Sequence, residues 1–513
     1  MMSMRSMVAM LGMMGLIAAG GCTSAKPMTK VIPQWAFYNG DLSGQRYSTL
    51  KEINRGNASA LQVVCQRTLE KNTAFETGPV LVGDRMFLTT GDSTFALDAR
   101  DCSVIWQVGN SSFKNDAVLV NRGVAFLDGR LFRGTTDGYV IALDAATGST
   151  LWSEKVLRPD KGERFTMAPV AWHGKVFIGD AVSDNGIQGQ VMAFDAVTGR
   201  ALWRRSTIDA PSWPRGAQTG GGGVWSSFAI DERRAELFVP VSNPAPDFVP
   251  AARPGRNLYT DSVLVLDANT GRVKWFYQVT PNDEHDWDLG AAPMLFTLHG
   301  REIVAAASKD GYLYTIDRRS HSLLHRTEVT TVKNADLPLS TKYLHVCPGM
   351  TGGVEWNGPT FDRLNEQIVV GAVDWCGRYF QTPDELHGAG GFLGGGYAPD
   401  RASNARGWIN AIDARTGMLR WRYHARQPVV GGITSTAGNV VFAGDTADEF
   451  FVFDSASGRR VYERQVAGAV AGGIVTYAIA GRQYVAVATG PTLRTTFTDT
   501  GDPTITILSL PGS

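Results

Sequence analysis

The chain has 513 residues, with 49 Lys+Arg against 49 Asp+Glu, so its formal net charge is zero. That balance argues against bulk electrostatic capture of nucleic acid, and 43% hydrophobic with 10% aromatic residues excludes a disordered chain. The 58 glycines make up about 11% of the chain against an average near 7%, and with many Val, Trp and Tyr they predict short strands and tight turns around a large core.

The first predicted element is a processing segment. Arg5 precedes an apolar run from Met7 to Ala19, followed by Gly20, Gly21 and Cys22. The run is too short to span a membrane and fits a secretory h-region. Small residues before a Cys resemble a bacterial lipoprotein cleavage site, so residues 1–21 read as a lipoprotein-type signal peptide with a lipid anchor at Cys22. A plain signal peptide cleaved near Ala19 or Ala25 is the other reading. Residues 22–30 read as a linker and 31–513 as one domain, because no composition shift divides them. The location that follows is periplasmic, with the membrane reached through the lipid. In that oxidising compartment Cys65, Cys102, Cys347 and Cys376 can form two disulfides, paired by proximity as Cys65–Cys102 and Cys347–Cys376. No Cys-x-x-Cys-His run offers a covalent haem site.

A repeat then runs along the chain: apolar-x-apolar-Asp, a few small residues, Gly, and an aromatic. The Asp positions are 98, 144, 195, 267, 317, 413 and 454, stepping by 46, 51, 72, 50, 96 and 41. In the clearest copies Asp144, Asp195, Asp267 and Asp413 are followed by Gly148, Gly199, Gly271 and Gly417, then by Trp152, Trp203, Trp275 and Trp421. Asp and Gly suit the hairpin turn, and the aromatic can pack between neighbouring units. The 72 step reads as an insertion, and the 96 step as two repeats with a degenerate copy near Phe361 and Asp362. The total is eight units, and a period in the forties with four apolar runs per unit predicts an all-β, eight-bladed β-propeller. Closure of the ring is expected from Trp35–Leu50 joining Gly473–Leu508.

Ordered blocks carry a more specific likeness. They are Trp35 to Ser48, Asn257 to Ser262 with Asp267 and Trp275, Gln278 to Asp286, and Ser308 to Arg318. With these blocks the chain resembles the pyrroloquinoline quinone (PQQ)-dependent alcohol dehydrogenases, eight-bladed propellers with tryptophan-docking motifs. The resemblance implies PQQ and a calcium or lanthanide ion as cofactors, and it places a site along the chain.

Glu76, Arg122 and Thr166 match cofactor contacts of the family. Arg122 can clamp a carboxylate in bidentate fashion, although each of the three alone reads as a surface loop residue. Asp184 aligns by glycine spacing with a metal-ligating Glu of the family, one methylene shorter; by itself it reads as a turn acid. Trp225, after the run Gly220–Gly223, matches the Trp on which the flat cofactor stacks; the other reading is a blade-core Trp. Asn243, in an Asn-Pro-x-Pro context, matches a metal-ligating Asn, and otherwise reads as an Asn-Pro turn.

Asp286 matches the general base, in a segment where five of the six residues 283–288 are charged or His. Taken alone that segment reads as a solvated acidic loop. Asp288, two residues on, is expected on the same side by strand alternation, and resembles the added ligand of lanthanide-using members. Lys309 matches the cation that stabilises charge on the reduced quinone.

Departures from the family pattern concern the roof over the cofactor. Asp116 and Ala117 stand where many members have adjacent cysteines, Val373 replaces an Asn and Val430 a Trp. Ala181, Val182 and Ser183 also differ from the usual run before the metal ligand. The implied activity is oxidation of an alcohol, or of a sugar or aldehyde, by metal-assisted hydride transfer to PQQ. Electrons then pass to a separate cytochrome c or other periplasmic acceptor. The alternative is a non-catalytic propeller lipoprotein, a scaffold of the outer-membrane assembly type. The segments Ser206–Gly220, with Trp213, and Gly388–Gly407 are expected to shape the pocket mouth.

Overall fold

The computed structural model describes residues 33–109, 120–183, 186–217, 219–383, 394–493, 496–498 and 500–512. Residues 1–32, with the expected signal segment and Cys22, lie outside the described residues, as do Asp116, Ala117 and Asp184. No helix among the described residues is long and apolar enough to cross a membrane.

The described chain is all-β. Eight sheets of four or five strands follow one another, with two smaller sheets set between them. Most of the large sheets are meanders of consecutive antiparallel strands, such as Val80–Val82, Arg85–Thr89, Ser93–Asp98 and Val104–Gly109. Inner strands read as continuous apolar runs because both their faces are covered by adjacent sheets. Gln367–Asp374 and Val440–Gly444 are buried almost throughout.

The repeat motif has a physical role in every copy. The Asp144 carboxylate accepts the backbone N–H groups of Ala146 and Thr147 and the Thr147 hydroxyl, closing the hairpin before Thr150–Lys155. Asp195 and Asp267 do the same in theirs. The aromatic that follows reaches the next sheet. The indole N–H of Trp106 donates to the Ala145 carbonyl at 3.3 Å, that of Trp152 to Ala196 at 3.1 Å, Trp203 to Ala268 at 3.2 Å and Trp421 to Ser455 at 2.8 Å. Each ring also lies against the glycine of that turn. A Cβ on Gly199 would stand 2.8 Å from the Trp152 ring, and Gly199 has φ +76°. In the fifth sheet His325 takes this place, with Nε2 2.9 Å from the Arg415 carbonyl.

Gly199→Ala is therefore expected to lower the unfolding free energy by about 2 kcal/mol, from left-handed strain plus overpacking. Gly174→Ala is the control: Gly174 has φ +72° and nothing within 4 Å of a Cβ, leaving only the strain. Urea unfolding should show the larger midpoint shift for Gly199→Ala; equal shifts would remove the packing role.

Two expectations are corrected. The strand that completes the C-terminal sheet is Gln62–Thr68, paired with Thr504–Ser509, not the stretch Trp35–Leu50. Pro33–Trp35 pairs instead with Val80–Val82, and Tyr47–Ser48 runs parallel to Thr434–Thr436. Gln34 reaches the C-terminal sheet through two side-chain hydrogen bonds with the Ala478 backbone, and Trp35 packs in one cluster with Val475 and Tyr477. Cys65, on the closing strand, is bonded to Cys102 in the first large sheet's turn, across 37 residues of sequence. This ties the two ends of the sheet series together.

The second correction concerns Phe361 and Asp362. They belong to Thr360–Asp362, the first strand of the sheet whose third strand, Arg406–Asp413, ends on Asp413, and not to a separate repeat. Asp362 mimics the motif because its carboxylate also caps a hairpin, accepting from Leu364 and Asn365. The 96-residue step instead holds an inserted three-stranded sheet, Leu344–Val346, Gly377–Gln381 and Gly395–Pro399. The Cys347–Cys376 disulfide forms at its base.

Candidate active site

The acidic segment after Val273–Gln278 is folded by its own first residue. Buried Asp283 accepts the N–H of His285 at 3.0 Å and of Trp287 at 2.9 Å, turning the backbone so that Asp286 adopts φ +59°. Burial pushes the Asp283 carboxyl above its ordinary range, opposed by the Trp287 N–H and the Arg253 guanidinium. His285 is stacked on Trp287 with centroids 4.1 Å apart, and burial pushes its pKa down to about 3. It is therefore neutral at physiological pH.

Asp286 and Asp288 converge on one cation. Lys309 Nζ lies 2.8 Å from Asp288 Oδ2 and 3.6 Å from Asp286 Oδ2. The two carboxylates share a side as expected, but through this turn and not through strand alternation. Burial alone would push the ammonium's pKa down; Asp286, Asp288 and Glu355 outweigh it and push the pKa well up, so Lys309 stays charged. The Lys309 N–H donates to the Asp288 carbonyl at 3.1 Å, fixing the two segments together.

Asn243 completes this edge. Its backbone N–H donates to Asp288 Oδ1 at 3.1 Å, and its side-chain amide donates to Asp247 Oδ1 at 2.9 Å. Its Oδ1 is buried and has no donor. A buried amide oxygen without a partner is an uncommon arrangement that a hard cation would satisfy. Among the described residues no three His, Cys, Asp or Glu side chains gather on one point; the oxygens on offer here are those of Asn243, Asp286 and Asp288. The glycine run 220–223 packs against this edge. A Cβ on Gly221 would overlap the Asn243 carbonyl, and one on Gly223 would stand 2.6 Å from Ser183 Oγ, which is hydrogen-bonded to Ser242.

Beside it lies an aromatic and cationic shelf. The Arg122 guanidinium carbon is 4.9 Å from the Trp225 ring centre and 5.1 Å from that of Trp356. Arg122 pairs with fully buried Glu76 at 2.6 Å and donates to the Trp225 carbonyl at 3.1 Å, while its Nε is buried without an acceptor. Thr166 holds the same place: its hydroxyl donates to the Trp225 carbonyl at 3.2 Å, and its own carbonyl accepts the Arg122 N–H at 3.0 Å. Shelf and edge meet at Gly290, where a Cβ would stand 2.6 Å from the Trp225 ring. Val373 and Val430 are fully buried in one cluster with Trp356 and Trp375, against which Trp225 packs. These two replaced positions thus border the shelf.

Three residues of the site carried no signal in the sequence reading. Trp356 falls outside the repeat spacing; the pair Gly352-Gly353 before it was the available clue. Glu355, beside it, is buried. Arg253, wholly buried, donates to the carbonyls of Pro246, Asp247 and Asp283 and to the side-chain oxygens of Asn257 and Asn282. It ties the Asn243 segment to the Asp286 turn. Trp213 is buried and donates to the Leu258 carbonyl at 2.9 Å, so it anchors the 206–220 insertion to the chain before Asp261. Of the expected mouth stretch 388–407, residues 388–393 lie outside the described residues.

The chain is similar to known proteins over most of its length. The family profile described as "PQQ: Glucose/ethanol/alcohol dehydrogenase, beta-propeller domain" matches residues 35–340 and 425–485. The chain is 30% identical to the quinohemoprotein alcohol dehydrogenase of Comamonas testosteroni, over 89% of this chain and 73% of that one. It is 28% identical to the quinoprotein alcohol dehydrogenase PedH of Pseudomonas putida, over 89% and 86% of the two chains. Among solved structures, the quinohemoprotein alcohol dehydrogenase ADHIIG of Pseudomonas putida HK5 superposes with a TM-score of 0.88 at 26% identity, covering 94% of this chain and 80% of that one. The fold is a PQQ-type β-propeller.

Proposed function

The chain belongs to the PQQ-dependent alcohol dehydrogenase family, and we propose that it oxidises an alcohol, or a sugar or aldehyde, with PQQ and a calcium or lanthanide ion held between the Arg122 shelf and the Asn243 edge. The observation that carries this reading is the convergence of Asp286 and Asp288 on Lys309, beside the donorless Asn243 oxygen.

The residues fit both groups. A flat anionic ring is matched by the Trp225 and Trp356 faces and by Arg122, whose buried Nε still seeks an acceptor. A hard cation is matched by oxygens from Asn243, Asp286 and Asp288, with Asp184 proposed as a fourth ligand. Bound there, the pair supplies a hydride acceptor and a Lewis acid.

The chain's own groups do the rest. Asp286 takes the hydroxyl proton as general base while hydride leaves the alcohol carbon. Lys309, held charged by its carboxylate neighbours, would stabilise negative charge on a quinone held beside it. Glu76 and Thr166 keep Arg122 and Trp225 in register, so that a carboxylate meets a preset guanidinium.

The wider assignment has several parts. The eight large sheets are read as the blades of one closed ring, with the Trp–turn contacts as its docking repeat. Arg5, Met7–Ala19 and Cys22 support export to the periplasm and a lipid anchor. A separate cytochrome c or similar carrier would accept the electrons. A non-catalytic scaffold is not favoured, because it gives no reason for a buried Lys309 between two carboxylates.

The test is reconstitution. Purified protein supplied with PQQ plus calcium, or plus a light lanthanide, is expected to oxidise alcohols in a dye-linked assay. No oxidation of alcohols, sugars or aldehydes with either metal would overturn the reading.

A further inference from the structure

Glu355 is a carboxyl that the proposed reaction does not use. It is only 6% exposed, and among the described residues it forms no hydrogen bond and no ion pair. Its place is set by the backbone on both sides. Gly353, at φ +70°, passes so close to Lys309 that a Cβ would overlap the Lys309 carbonyl, and the Val354 N–H donates to the Ser308 carbonyl at 3.0 Å. On the other side Trp356 covers the Arg122 guanidinium at 5.1 Å. Glu355 thus lies on the short segment that joins the two cations of the site.

The charged groups that face it are Lys309 and Arg122 on the positive side, and Asp288 and Glu76 on the negative side. Burial pushes its pKa up to about 7, Lys309 and Arg122 pull it down, and Asp288 and Glu76 push it up. An ionised Glu355 competes with an incoming carboxylate for the same two cations and repels it at low dielectric.

We propose that Glu355 is a positioning residue that admits an anionic ligand beside Lys309 and Arg122 only when protonated, so that ligand binding takes up one proton. The choice of PQQ as that ligand rests on the functional reading above. The sign follows from linkage. Below the group's pKa, about 7 in the metal-free site and lower once a cation sits beside Asp288, the group is neutral and affinity is flat. Above it, affinity falls towards tenfold per pH unit until the raised pKa of the complex is passed.

The experiment measures the PQQ dissociation constant of calcium-loaded protein from about pH 6 to about pH 9 by quenching of tryptophan fluorescence. Proton uptake is measured by calorimetry in two buffers of different ionisation enthalpy. Wild type is expected to show the slope, and uptake of close to one proton at about pH 8. Glu355→Gln should lose both and bind about tenfold more tightly there, while Glu355→Asp should keep the slope. A flat wild-type profile, or the same slope in Glu355→Gln, overturns this inference alone. No PQQ binding by any of the proteins overturns the functional reading on which it rests. Without PQQ, wild type near pH 6 should show a protonated-carboxyl infrared band that Glu355→Gln lacks; identical spectra overturn the assignment.

Discussion

Asp286→Asn in the reconstituted enzyme is expected to lower kcat by about 10³-fold, the scale of a positioned general base. Asparagine keeps the size of the side chain and an oxygen for the cation, but it cannot take a proton. The substitution removes the partner 3.6 Å from Lys309 and leaves the closer one, Asp288 at 2.8 Å, so the ammonium remains compensated. The shelf is held by its own contacts, Arg122 with Glu76 and both Arg122 and Thr166 with the Trp225 carbonyl, and should bind PQQ as before. The expected signature is therefore loss of kcat with PQQ content unchanged, measured by absorbance of the purified protein. A variant that keeps full kcat would displace Asp286 as the base.

Arg253→Met should destabilise the protein by about 3–5 kcal/mol, the range for breaking a buried ionic network from one side. The methionine fills much of the volume but supplies no donor. Five acceptors lose their partner: the carbonyls of Pro246, Asp247 and Asp283 and the side-chain oxygens of Asn257 and Asn282. Asp283, Asp247 and Asp261, which hold the guanidinium charged against its burial, would be left near one another without a cation. Arg253→Lys should rescue little, since one ammonium cannot span acceptors on three chain segments. Thermal unfolding of the metal-free protein reads the stability, and metal affinity should fall with it because Asn243 and Asp286 lie on the segments being released. An unchanged melting midpoint would contradict this role.

How far the sequence carries depends on whether the physics is local. The Asp–Gly–Trp turn is legible because its carboxylate bonds its own next two or three residues, as Asp144 does with Ala146 and Thr147. The strand Gln62–Thr68 was not legible. It pairs with residues more than four hundred positions away and carries no turn motif of its own. Asp362 misled for the converse reason, since it makes the same local cap without the rest of the unit.

In the site the same division holds. Glu76, Arg122, Thr166 and Trp225 meet on one shelf, and Asn243, Asp286, Asp288 and Lys309 on one edge; Asp286 and Lys309 lie in ordered sequence blocks, and residue-by-residue matches to the family pattern mark the others. Arg253, Glu355 and Trp356 escaped notice because their roles arise from convergence of distant segments, which no spacing records. The side on which Asp288 falls was anticipated for the wrong reason: the capping of the turn by Asp283, and not a two-residue period, directs it.

If the Arg122 shelf and the Asn243 edge form one cofactor site, binding of PQQ and of the metal is coupled. Equilibrium dialysis of the purified apo-protein against PQQ, with and without calcium or a light lanthanide, tests it most directly. About one PQQ per chain, bound far more tightly when the metal is present, is the predicted result. Absence of binding, or binding of equal strength with no metal, would contradict it.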